Sequence, residues 1–393
     1  PGLIDSHIHP EVTKLSVTGF SKAVLPRGTT AIMCSFDQIA AVMGIEGVKL
    51  FIKEAKGTPL KVFYAGPSKL PYTIPPSTIG GSFGPADHLE TMEWPEAVGL
   101  WETTIDFVLS RDRDVLEAID LALSKRLAAH GHAPFARGPL LNGYLAVNIR
   151  SDHENFSVEE ALEKLRCGLY IMIREATMAH NLPEVIKVAT ISGLDTRRIT
   201  LCCDDLNVRD ILRKGHMDHL VRLAVEHGVD PVKAIQMVTI NPAEAYRVDH
   251  LVGMIAPGRY ADIVIADSIE KFSVNSVFAS GELVAKEGKL VVDIKPPKRD
   301  EKLLKTMNLP EIKPDDLLIR VEKPAKKVRV RTMILPPEIP IRLKGEAVLA
   351  VEDGYVRAKP EEDVLHVAVV ERHKRTGNIG RGFISGFGLR EGA

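Results

Sequence analysis

Six side chains of the kinds that bind metal ions recur along the chain, each at the end of an apolar segment. The first two are His7 and His9, in the segment Leu3-Ile4-Asp5-Ser6-His7-Ile8-His9. In an extended strand alternate side chains point to the same side, so we expect both imidazoles to leave one face together. The later members of the set are Glu102, His132, His153 and Asp204.

Four imidazoles and two carboxylates exceed the three protein ligands that a single catalytic zinc ion typically takes. The set therefore favours two divalent ions, and we predict that Glu102 bridges them while the four histidines are terminal ligands. Asp204 is predicted to be both a ligand and the group that moves protons. Two ions held in this way lower the pKa of a shared water molecule and polarise the electrophile. The nitrogen and oxygen ligands suit manganese, iron or zinc.

Two rival ligands follow from the same patterns. His130 has the same strand parity as His132, and Asp205 adjoins Asp204. Three further histidines fall in a helical stretch and are predicted to be solvated or to cap helices: His216, His219 and His227.

Short apolar strands alternate with helical patterns from Pro1 to about Gly228, which predicts a parallel β/α architecture. Eight strands suit a (β/α)₈ barrel, in which the active site lies at the C-terminal ends of the strands. The proposed ligands fall near these ends of the first, fourth, fifth, sixth and eighth strands. The predicted strands are Leu3–His9, Thr30–Ser35, Lys61–Ala65, Ala97–Glu102, Arg126–His132, Ala146–Ser151, Leu169–Arg174 and Ile199–Cys203.

Helix starts are marked by three local signals. The segment Ser157-Val158-Glu159-Glu160 is a capping box. Asp230-Pro231 and Asn241-Pro242 each place an N-cap residue before a proline at the first helical position.

The chain is predicted to contain three parts. The barrel occupies residues 1–250, and a small β unit follows at 251–294, with hairpins around Gly281-Glu282 and Glu287-Gly288-Lys289. We expect this β unit to be partial, with its N-terminal strands upstream of Pro1. A charged, proline-containing linker, Lys295–Asp300, opens a C-terminal α+β domain at residues 295–393, which we expect to be truncated.

Composition excludes several classes of function. The 393 residues are 45% hydrophobic and carry a formal net charge of -1, which argues against nucleic acid or a membrane as the main partner. Four cysteines without CxxC spacing favour a reducing cytoplasm, and Cys202 and Cys203 are predicted to pack in the core. We expect a cytoplasmic homo-oligomer that acts on a small molecule.

These motifs resemble the amidohydrolase superfamily and, within it, the adenine deaminase family. The resemblance extends over nearly the whole chain. It rests on Pro1–His9, Val24–Thr30, Gly131–Pro134, Ser151–Glu154, Ile173–Glu175, Asp204-Asp205, Gly215–Asp218, Ile255–Gly258, Thr376–Gly380 and Gly386–Leu389.

The resemblance implies hydrolytic deamination of adenine to hypoxanthine and ammonia, a reaction of purine salvage, through a metal-bridging hydroxide. It implies a binuclear centre of manganese or iron, with zinc as a third option, and Asp204 as the proton relay. A ring nitrogen must be protonated during attack, because a localised anion on the ring would raise the barrier.

The chain departs from the family after the second strand. The family usually has Asp-Pro-His-Glu there, whereas this chain has Ser35-Phe36-Asp37-Gln38, and a glutamine cannot act as an acid. Asp37, Glu154 and Glu175 are therefore the candidates for ring protonation. We predict that Arg174, Glu175 and Trp101 contact the substrate; Trp101 stands where a glycine is common in the family.

Two alternatives remain at this point. The chain could be a related amidohydrolase that acts on another cyclic amidine or amide, which the altered Ser35–Gln38 segment favours. It could instead be an inactive homologue that binds metal.

Overall fold

A computed structural model of the chain describes residues 1–298, 300–336 and 341–389. The chain forms two compact units, of which the first consists of Pro1–Ser77 and Gly81–Asp300 and the second of Thr78–Gly80 and the chain from Glu301 onward. The predicted linker Lys295–Asp300 contains Arg299, which lies outside the described residues. The finer domain boundary at residue 250 stays a prediction.

Eight parallel strands form one sheet in sequential order in the first unit, and helices follow the strands, so the predicted (β/α)₈ fold is confirmed. The strands are β1 Leu3–Asp5, β2 Thr29–Cys34, β3 Lys61–Pro67, β4 Ala97–Thr104, β5 Ala128–His132, β6 Ile149–Asp152, β7 Tyr170–Arg174 and β8 Ile199–Cys202. The α-helices are α1 Val17–Val24, α2 Asp37–Ala55, α3 Pro85–Thr91, α4 Ile105–Leu109, α5 Arg113–Ser124, α6 Gly138–Leu145, α7 Val158–Arg166, α8 Leu182–Val185, α9 Val208–Arg213, α10 Met217–Glu226, α11 Pro231–Gln236 and α12 Ile240–Ala245. Short 3₁₀ turns lie at Pro10–Thr13, Leu25–Arg27 and Ile186–Thr190.

Hydrogen bonds from outside the regular strands join β1 to β8. At the C-terminal end, the Asp204 N–H donates to the His7 carbonyl at 2.8 Å, and Ile8 and Asp204 form an isolated parallel bridge. A second link runs through the segment between α11 and α12, because the Ile4 N–H donates to the Val238 carbonyl at 2.7 Å and the Leu201 N–H donates to the Met237 carbonyl at 3.1 Å. The barrel is therefore closed partly by main-chain groups of the predicted metal ligands themselves.

The first strand is shorter than predicted. It ends at Asp5, so His7 and His9 lie on the loop that follows it and not on the strand. The physical reason is local, because the Asp5 carboxylate accepts the His7 N–H at 3.2 Å and so diverts it from a strand neighbour. The other seven strands begin and end within three residues of their predicted limits.

The helix signals were correct in two cases of three. Ser157 caps α7 by accepting the Glu160 N–H at 3.2 Å, although Glu160 itself accepts from Phe156 and not from Ser157. Asp230 caps α11 through two main-chain N–H groups. The predicted cap at Asn241 is wrong, because α12 begins at Ile240 and Asn241 lies inside the helix.

Asn241 is used for packing between elements. Its buried side-chain amide donates to the carbonyls of Thr196 and Ile199, at 3.0 and 2.7 Å, and so ties α12 to the start of β8. A long-range partner of this kind cannot be read from the local Asn-Pro signal.

The small β unit is an antiparallel sheet of four strands: β9 Ile263–Ala266, β10 Val274–Ala279, β11 Glu282–Lys286 and β12 Lys289–Leu290. Both predicted hairpins are confirmed, with turns at Gly281 and at Glu287-Gly288. The 3₁₀ turn at Leu25–Arg27 contacts this sheet, and Leu25 belongs to its buried cluster.

The second unit is rich in β structure. Its five strands are β13 Lys327–Ile334, β14 Leu343–Glu352, β15 Tyr355–Val356, β16 Val364–Val370 and β17 Ile379–Ser385, in the order β15-β14-β13-β17-β16. A small core is formed by Leu349, Val356, Val364 and Phe383. The other regular elements within its described residues are 3₁₀ turns: Glu301–Leu304, Pro314–Leu317 and Pro360–Glu362. No helix in the described parts of the chain is long and apolar enough to cross a membrane.

Replacing Gly99 by alanine tests the pairing that positions β4. Gly99 has φ +149°, and a Cβ there would lie 2.0 Å from the Ala128 carbonyl oxygen on β5. We expect Gly99→Ala to lower the free energy of unfolding by at least about 1–3 kcal/mol, because the main chain must shift in the middle of the barrel. Denaturant unfolding measures the change.

Gly84→Ala is the matched control, since a Cβ at Gly84 meets nothing within 4 Å. Equal unfolding curves for the two variants would contradict the argument from the close approach at Gly99.

Candidate metal centre

One carboxylate oxygen lies at the centre of the predicted ligand set. The Oε1 atom of Glu102 is between 3.4 and 3.7 Å from a ring nitrogen of each of the four predicted histidine ligands: His7, His9, His132 and His153. His7 and His9 follow β1, whereas Glu102, His132 and His153 come from the ends of β4, β5 and β6, and the barrel brings them together as predicted.

Asp204 completes the set from the end of β8. Its Oδ1 atom lies 3.6 Å from His7 Nε2 and 3.4 Å from His9 Nε2. Both carboxylate residues have left-handed main-chain conformations, with φ +36° at Glu102 and +54° at Asp204. Such strain at non-glycine residues is typical of functional sites, where the surrounding structure holds the conformation.

The arrangement fits metal ions on two grounds. The donor atoms form three-membered groups in which all lie within 4.8 Å of one another, including His7-His9-Asp204 and His7-Glu102-His153. Ligands about 2.0–2.1 Å from a tetrahedral ion are separated by roughly 3.3 Å, close to the spacings observed. In addition, His7 Nε2 is buried and has no hydrogen-bond partner in the protein.

Glu154 lies closer to the cluster than the sequence indicated. Its Oε1 atom is 3.6 Å from His153 Nε2 and 3.9 Å from His132 Nδ1, and the three residues form a further potential metal-binding group. Glu154 was predicted as a catalytic acid, and its position makes it a rival ligand as well.

The electrostatics of the cluster favour bound positive charge. Burial alone lowers the pKa of the His132 imidazole, but the nearby Glu102 carboxylate, 3.7 Å from its Nδ1 atom, raises it overall to about 9. Burial raises the pKa of the Glu102 carboxyl, yet the neighbouring imidazoles of His132, His7 and His9 hold it well below its usual range. Glu102 is therefore an anion that divalent ions can neutralise.

Asp37 lies behind His9. Its Oδ1 atom is 3.0 Å from His9 Nδ1, and it also accepts the N–H of Gln38 at 3.0 Å. Metal-binding histidines commonly donate their second ring N–H to a carboxylate, which fixes the orientation of the ring. Asp37 occupies that position for His9, and α2 begins at Asp37.

Arg174 is engaged by the cluster itself. Its guanidinium binds both oxygens of Glu154, at 2.6 and 3.0 Å, and Asp204 Oδ2 at 2.7 Å, while its Nε donates to Asn181. Burial raises the pKa of the Asp204 carboxyl, but His7 and Arg174 lower it overall. Arg174 thus links the predicted proton relay to Glu154.

The other two predicted substrate contacts lie differently. Glu175 is buried and accepts from His180 Nδ1 at 2.6 Å. Trp101 is fully buried, and its indole stacks on the His7 ring with centroids 4.0 Å apart. The indole therefore packs against the face of the His7 ring and is not accessible to a ligand in this structure.

The rival ligands do not join the cluster. His130 is buried on another side, where its ring stacks on Tyr246 and its Nδ1 lies 2.7 Å from the Ser151 hydroxyl. Asp205 is exposed, whereas Asp204 is 5% exposed. Neither His130 nor Asp205 belongs to any of the potential metal-binding groups of the described residues.

The prediction that His216 is solvated is wrong; it is the N-cap residue of α10, although its side chain makes no capping hydrogen bond. Its ring is fully buried, with Nδ1 2.8 Å from the Thr29 hydroxyl and Nε2 3.2 Å from Asp5 Oδ2. The other oxygen of Asp5 accepts the N–H groups of His7 and Cys203, each at 3.2 Å. Asp5 and His216 therefore hold the two segments that carry ligands on either side of the junction between β1 and β8, the segment with His7 and the segment with Asp204.

Lys164 is a supporting residue that sequence reasoning missed. On the sequence it forms an ordinary i,i+4 pair with Glu160, yet its side chain is fully buried. Its ammonium lies 2.6 Å from Asp152 and 2.7 Å from Glu160, and it donates to the carbonyls of Ala133 and Glu154 at 2.9 and 2.8 Å. Lys164 thus fixes the residue that follows His132 and the two residues that flank His153.

Two further groups enter the site without a sequence signal. Tyr72, from the loop between β3 and α3, has a buried hydroxyl without a hydrogen-bond partner in the protein, and burial together with the charges of Asp37 and Glu102 raises its pKa. Glu11 accepts the Gln38 N–H at 3.2 Å, and burial together with the charge of Asp37 raises its pKa to about 8.

Two family models match the chain. Residues 1–284 match the amidohydrolase family, and residues 341–393 match the adenine deaminase C-terminal domain.

Curated relatives match along the entire chain. It is 43% identical to adenine deaminase 4 of Rhizobium meliloti (strain 1021), 45% identical to adenine deaminase 1 of Desulfotalea psychrophila and 38% identical to adenine deaminase of Staphylothermus marinus. All of this chain is covered in each case, but it spans only 66% of the length of these relatives. These matches confirm the resemblance predicted from the sequence.

Solved structures share the barrel fold at low sequence identity. A β-aspartyl dipeptidase from Fervidobacterium islandicum AW-1 superposes with a TM-score of 0.55 at 19% identity, covering 75% of this chain and 85% of that one. An N-acetyl-D-glucosamine-6-phosphate deacetylase from Mycobacterium smegmatis gives 0.52 at 17% identity, covering 72% and 86%. At these identities the similarity concerns the fold alone.

Lys164→Met tests the support beneath His132 and His153. The change leaves Asp152 buried without its cation, and removing one partner of a buried ion pair costs about 3–5 kcal/mol. We expect a loss of this size in the free energy of unfolding, measured with denaturant, together with weaker metal binding measured by equilibrium dialysis.

Lys49→Met is the matched control, because Lys49 pairs with Glu46 and Glu90 at the surface. A surface pair of this kind contributes about 0–1 kcal/mol. If both lysine variants unfolded alike, the buried network would not have the role assigned to it.

Proposed function

The chain belongs to the amidohydrolase family, and on this premise we propose that it is the barrel-bearing part of an adenine deaminase, which hydrolyses adenine to hypoxanthine and ammonia. The observation that carries this proposal is the convergence of the four predicted histidine ligands around Glu102 Oε1, with Asp204 beside His7 and His9, in a chain 45% identical to an adenine deaminase. The reaction takes up one water molecule and releases the amino group of the purine as ammonia.

A binuclear divalent metal centre is part of the proposal. His7, His9 and Asp204 would hold one ion, His132 and His153 the other, and Glu102 would bridge them. When bound, two such ions supply a nucleophile at neutral pH by lowering the pKa of a water molecule. The nitrogen and oxygen donors suit manganese or iron, with zinc as a third option.

Asp204 is the proposed proton relay. Its Oδ1 atom faces the histidine cluster while its Oδ2 atom accepts from Arg174, so the carboxylate is held with one oxygen toward the reaction site. We propose that Asp204 accepts the proton that leaves the attacking water and donates it to the departing amino group. Arg174 is a positioning residue in this scheme, because it orients Asp204.

Glu154 and Asp37 remain the proposed acids for the purine ring. Both have cationic or donor partners in the structure: Arg174 binds Glu154 through two hydrogen bonds, and His9 Nδ1 lies beside Asp37. A ring nitrogen must therefore displace one of these partners before it can contact either carboxyl group. The open side of the cluster is at His132, whose side chain is 32% exposed.

Substrate contacts are assigned from these positions. Tyr72 is proposed to donate a hydrogen bond to the purine, since its hydroxyl is buried at the site and lacks a partner. We assign Trp101 to the support of His7. Glu175, which pairs with His180, is retained only as a candidate residue behind the side chains that would touch the purine. Homo-oligomeric assembly stays a prediction.

A related amidohydrolase that acts on another cyclic amidine or amide is the second candidate. Gln38 favours it, because it stands where the family usually has glutamate and its side chain is exposed. An inactive homologue that binds metal is the third. The three candidates predict different results in the same assay.

The decisive measurement is a deaminase assay on the chain loaded with manganese or iron, with adenine as substrate and detection of both hypoxanthine and ammonia. We expect turnover, and we expect Asp204→Asn to lower kcat by about 10²- to 10⁴-fold because the proton relay is lost. Elemental analysis checks that each sample carries metal.

Asp205→Asn is the matched control, since this neighbouring carboxylate is exposed and lies outside the donor groups. Turnover of another cyclic amidine or amide without adenine turnover would favour the second candidate. Two bound metals and tight adenine binding without any turnover would favour the third.

Tyr72→Phe tests the proposed substrate contact. Removing one neutral hydrogen bond to the purine should lower kcat/KM about tenfold or less, because such a bond contributes about 0.5–1.5 kcal/mol. Metal content should be unchanged. Tyr260→Phe is the control, since Tyr260 is exposed and its ring lies beside the Lys61 ammonium. Equal kinetics for both variants would remove Tyr72 from the scheme.

A further inference from the structure

A cavity of about 790 Å³ lies at the N-terminal ends of β7 and β8. Its walls come from α7, from Tyr170 at the start of β7, and from residues 191–198, which precede β8. The proposed metal ligands lie at the opposite, C-terminal ends of the barrel strands, and Asp204 lies at that end of β8. The cavity is therefore separate from the candidate metal centre.

Guanidinium groups are concentrated at this cavity. Arg166, Arg197 and Arg198 line it, and Arg150 lies on the ring of Tyr170 together with Arg198. The guanidinium carbons of Arg150 and Arg198 are 5.0 and 5.4 Å from the centre of that ring. Aromatic faces stabilise such cations, so the tyrosine helps to hold two like charges close together.

None of these four arginines has an ion pair with a carboxylate within the described residues. Arg150 donates to the main-chain carbonyls of Ala245 and Glu244, at 2.6 and 2.9 Å, and Arg198 donates to the carbonyl of Gly168. Burial lowers the pKa of Arg150, and the charges of Arg247 and Arg198 lower it further. An anion in the cavity would relieve this repulsion.

The barrel pairs its arginines with acids at other places. Arg137 lies 2.7 Å from Glu163, and Arg222 lies 3.0 Å from Asp218. Other barrel arginines, such as Arg27 and Arg213, also lack a carboxylate partner within the described residues, so the distinctive feature of this end of the barrel is that several such arginines surround one cavity.

The rest of the lining indicates the kind of anion. Leu162, Leu165 and Leu194 supply apolar wall, while Asp195 and Glu244 add carboxylates. These carboxylates would repel a polyanion such as nucleic acid, but a carboxylate accepts hydrogen bonds well from ribose hydroxyls. Phosphate, ribose and base are the three groups that such a lining recognises together.

We propose that this cavity binds a nucleoside monophosphate, with the phosphate on Arg166, Arg197 and Arg198, the ribose hydroxyls toward Asp195 or Glu244, and the base against the leucines. Its volume lies within the range of about 300–1,000 Å³ that is usual for small-molecule sites. The inference does not depend on the reaction catalysed at the metal centre.

Isothermal titration calorimetry on the metal-loaded full chain tests the proposal, with AMP, adenosine, ribose 5-phosphate and inorganic phosphate as separate probes. We expect AMP to bind at least about tenfold more tightly than each of the other three, because only AMP engages arginines, carboxylates and apolar wall at once. Binding should weaken as salt is added.

The variants Arg197→Ala and Arg166→Ala should each weaken AMP binding by about tenfold or more, since each removes a charge-assisted hydrogen bond to phosphate. Both side chains are exposed, so the fold should survive, which circular dichroism checks. Arg213→Ala on α9 is the matched control and should bind AMP as the parent chain does.

Three results would overturn the inference. They are the absence of AMP binding, equal affinities for AMP and inorganic phosphate, and unchanged AMP binding in both arginine variants. The last result would place the nucleotide elsewhere, including the metal centre. Loss of adenine turnover has no bearing on these outcomes, so failure of the proposed reaction remains distinguishable.

Discussion

The structure depends on placing the Glu102 carboxylate, in a strained main-chain conformation, within 3.7 Å of four imidazole nitrogens inside a closed barrel. A buried anion needs compensating positive charge, and so many nitrogen donors around one oxygen leave divalent ions as the fitting partner. The burial of His7 Nε2 without a protein partner points the same way. The surrounding contacts are then best understood as devices that hold this arrangement.

Each ligand segment has its own anchor. Asp5 and His216 fix the two segments that meet between β1 and β8, Lys164 fixes the chain around His132 and His153, and Asp37 orients His9. These anchors are themselves buried charges or imidazoles, so the fold contains a polar layer beneath the site where an apolar core would be simpler. Rigid placement of the ligands is the benefit of that layer.

The sequence was sufficient to predict the barrel and the convergence of the proposed ligand side chains, because both follow from local patterns. Short apolar strands that alternate with helices predict the parallel sheet. Parallel strands bring their C-terminal ends, with Glu102 and Asp204, to one face of the barrel. It was insufficient wherever a residue acts through a distant partner. Lys164 looks like the surface member of an i,i+4 pair, and only the packing of α7 on the strands shows that it is buried. Tyr72 lies on a loop without periodicity, so nothing local marks it.

The overall net charge of -1 conceals a separation of charge along the barrel. Acids and imidazoles collect at the C-terminal ends of the strands, whereas arginines collect at the N-terminal ends of β6 to β8. A β-strand has only a small net dipole, so this separation comes from side chains and not from the backbone. The two groups lie at opposite ends of the barrel strands, so a chain that is nearly neutral in total carries side chains suited to cations at one end and side chains suited to anions at the other.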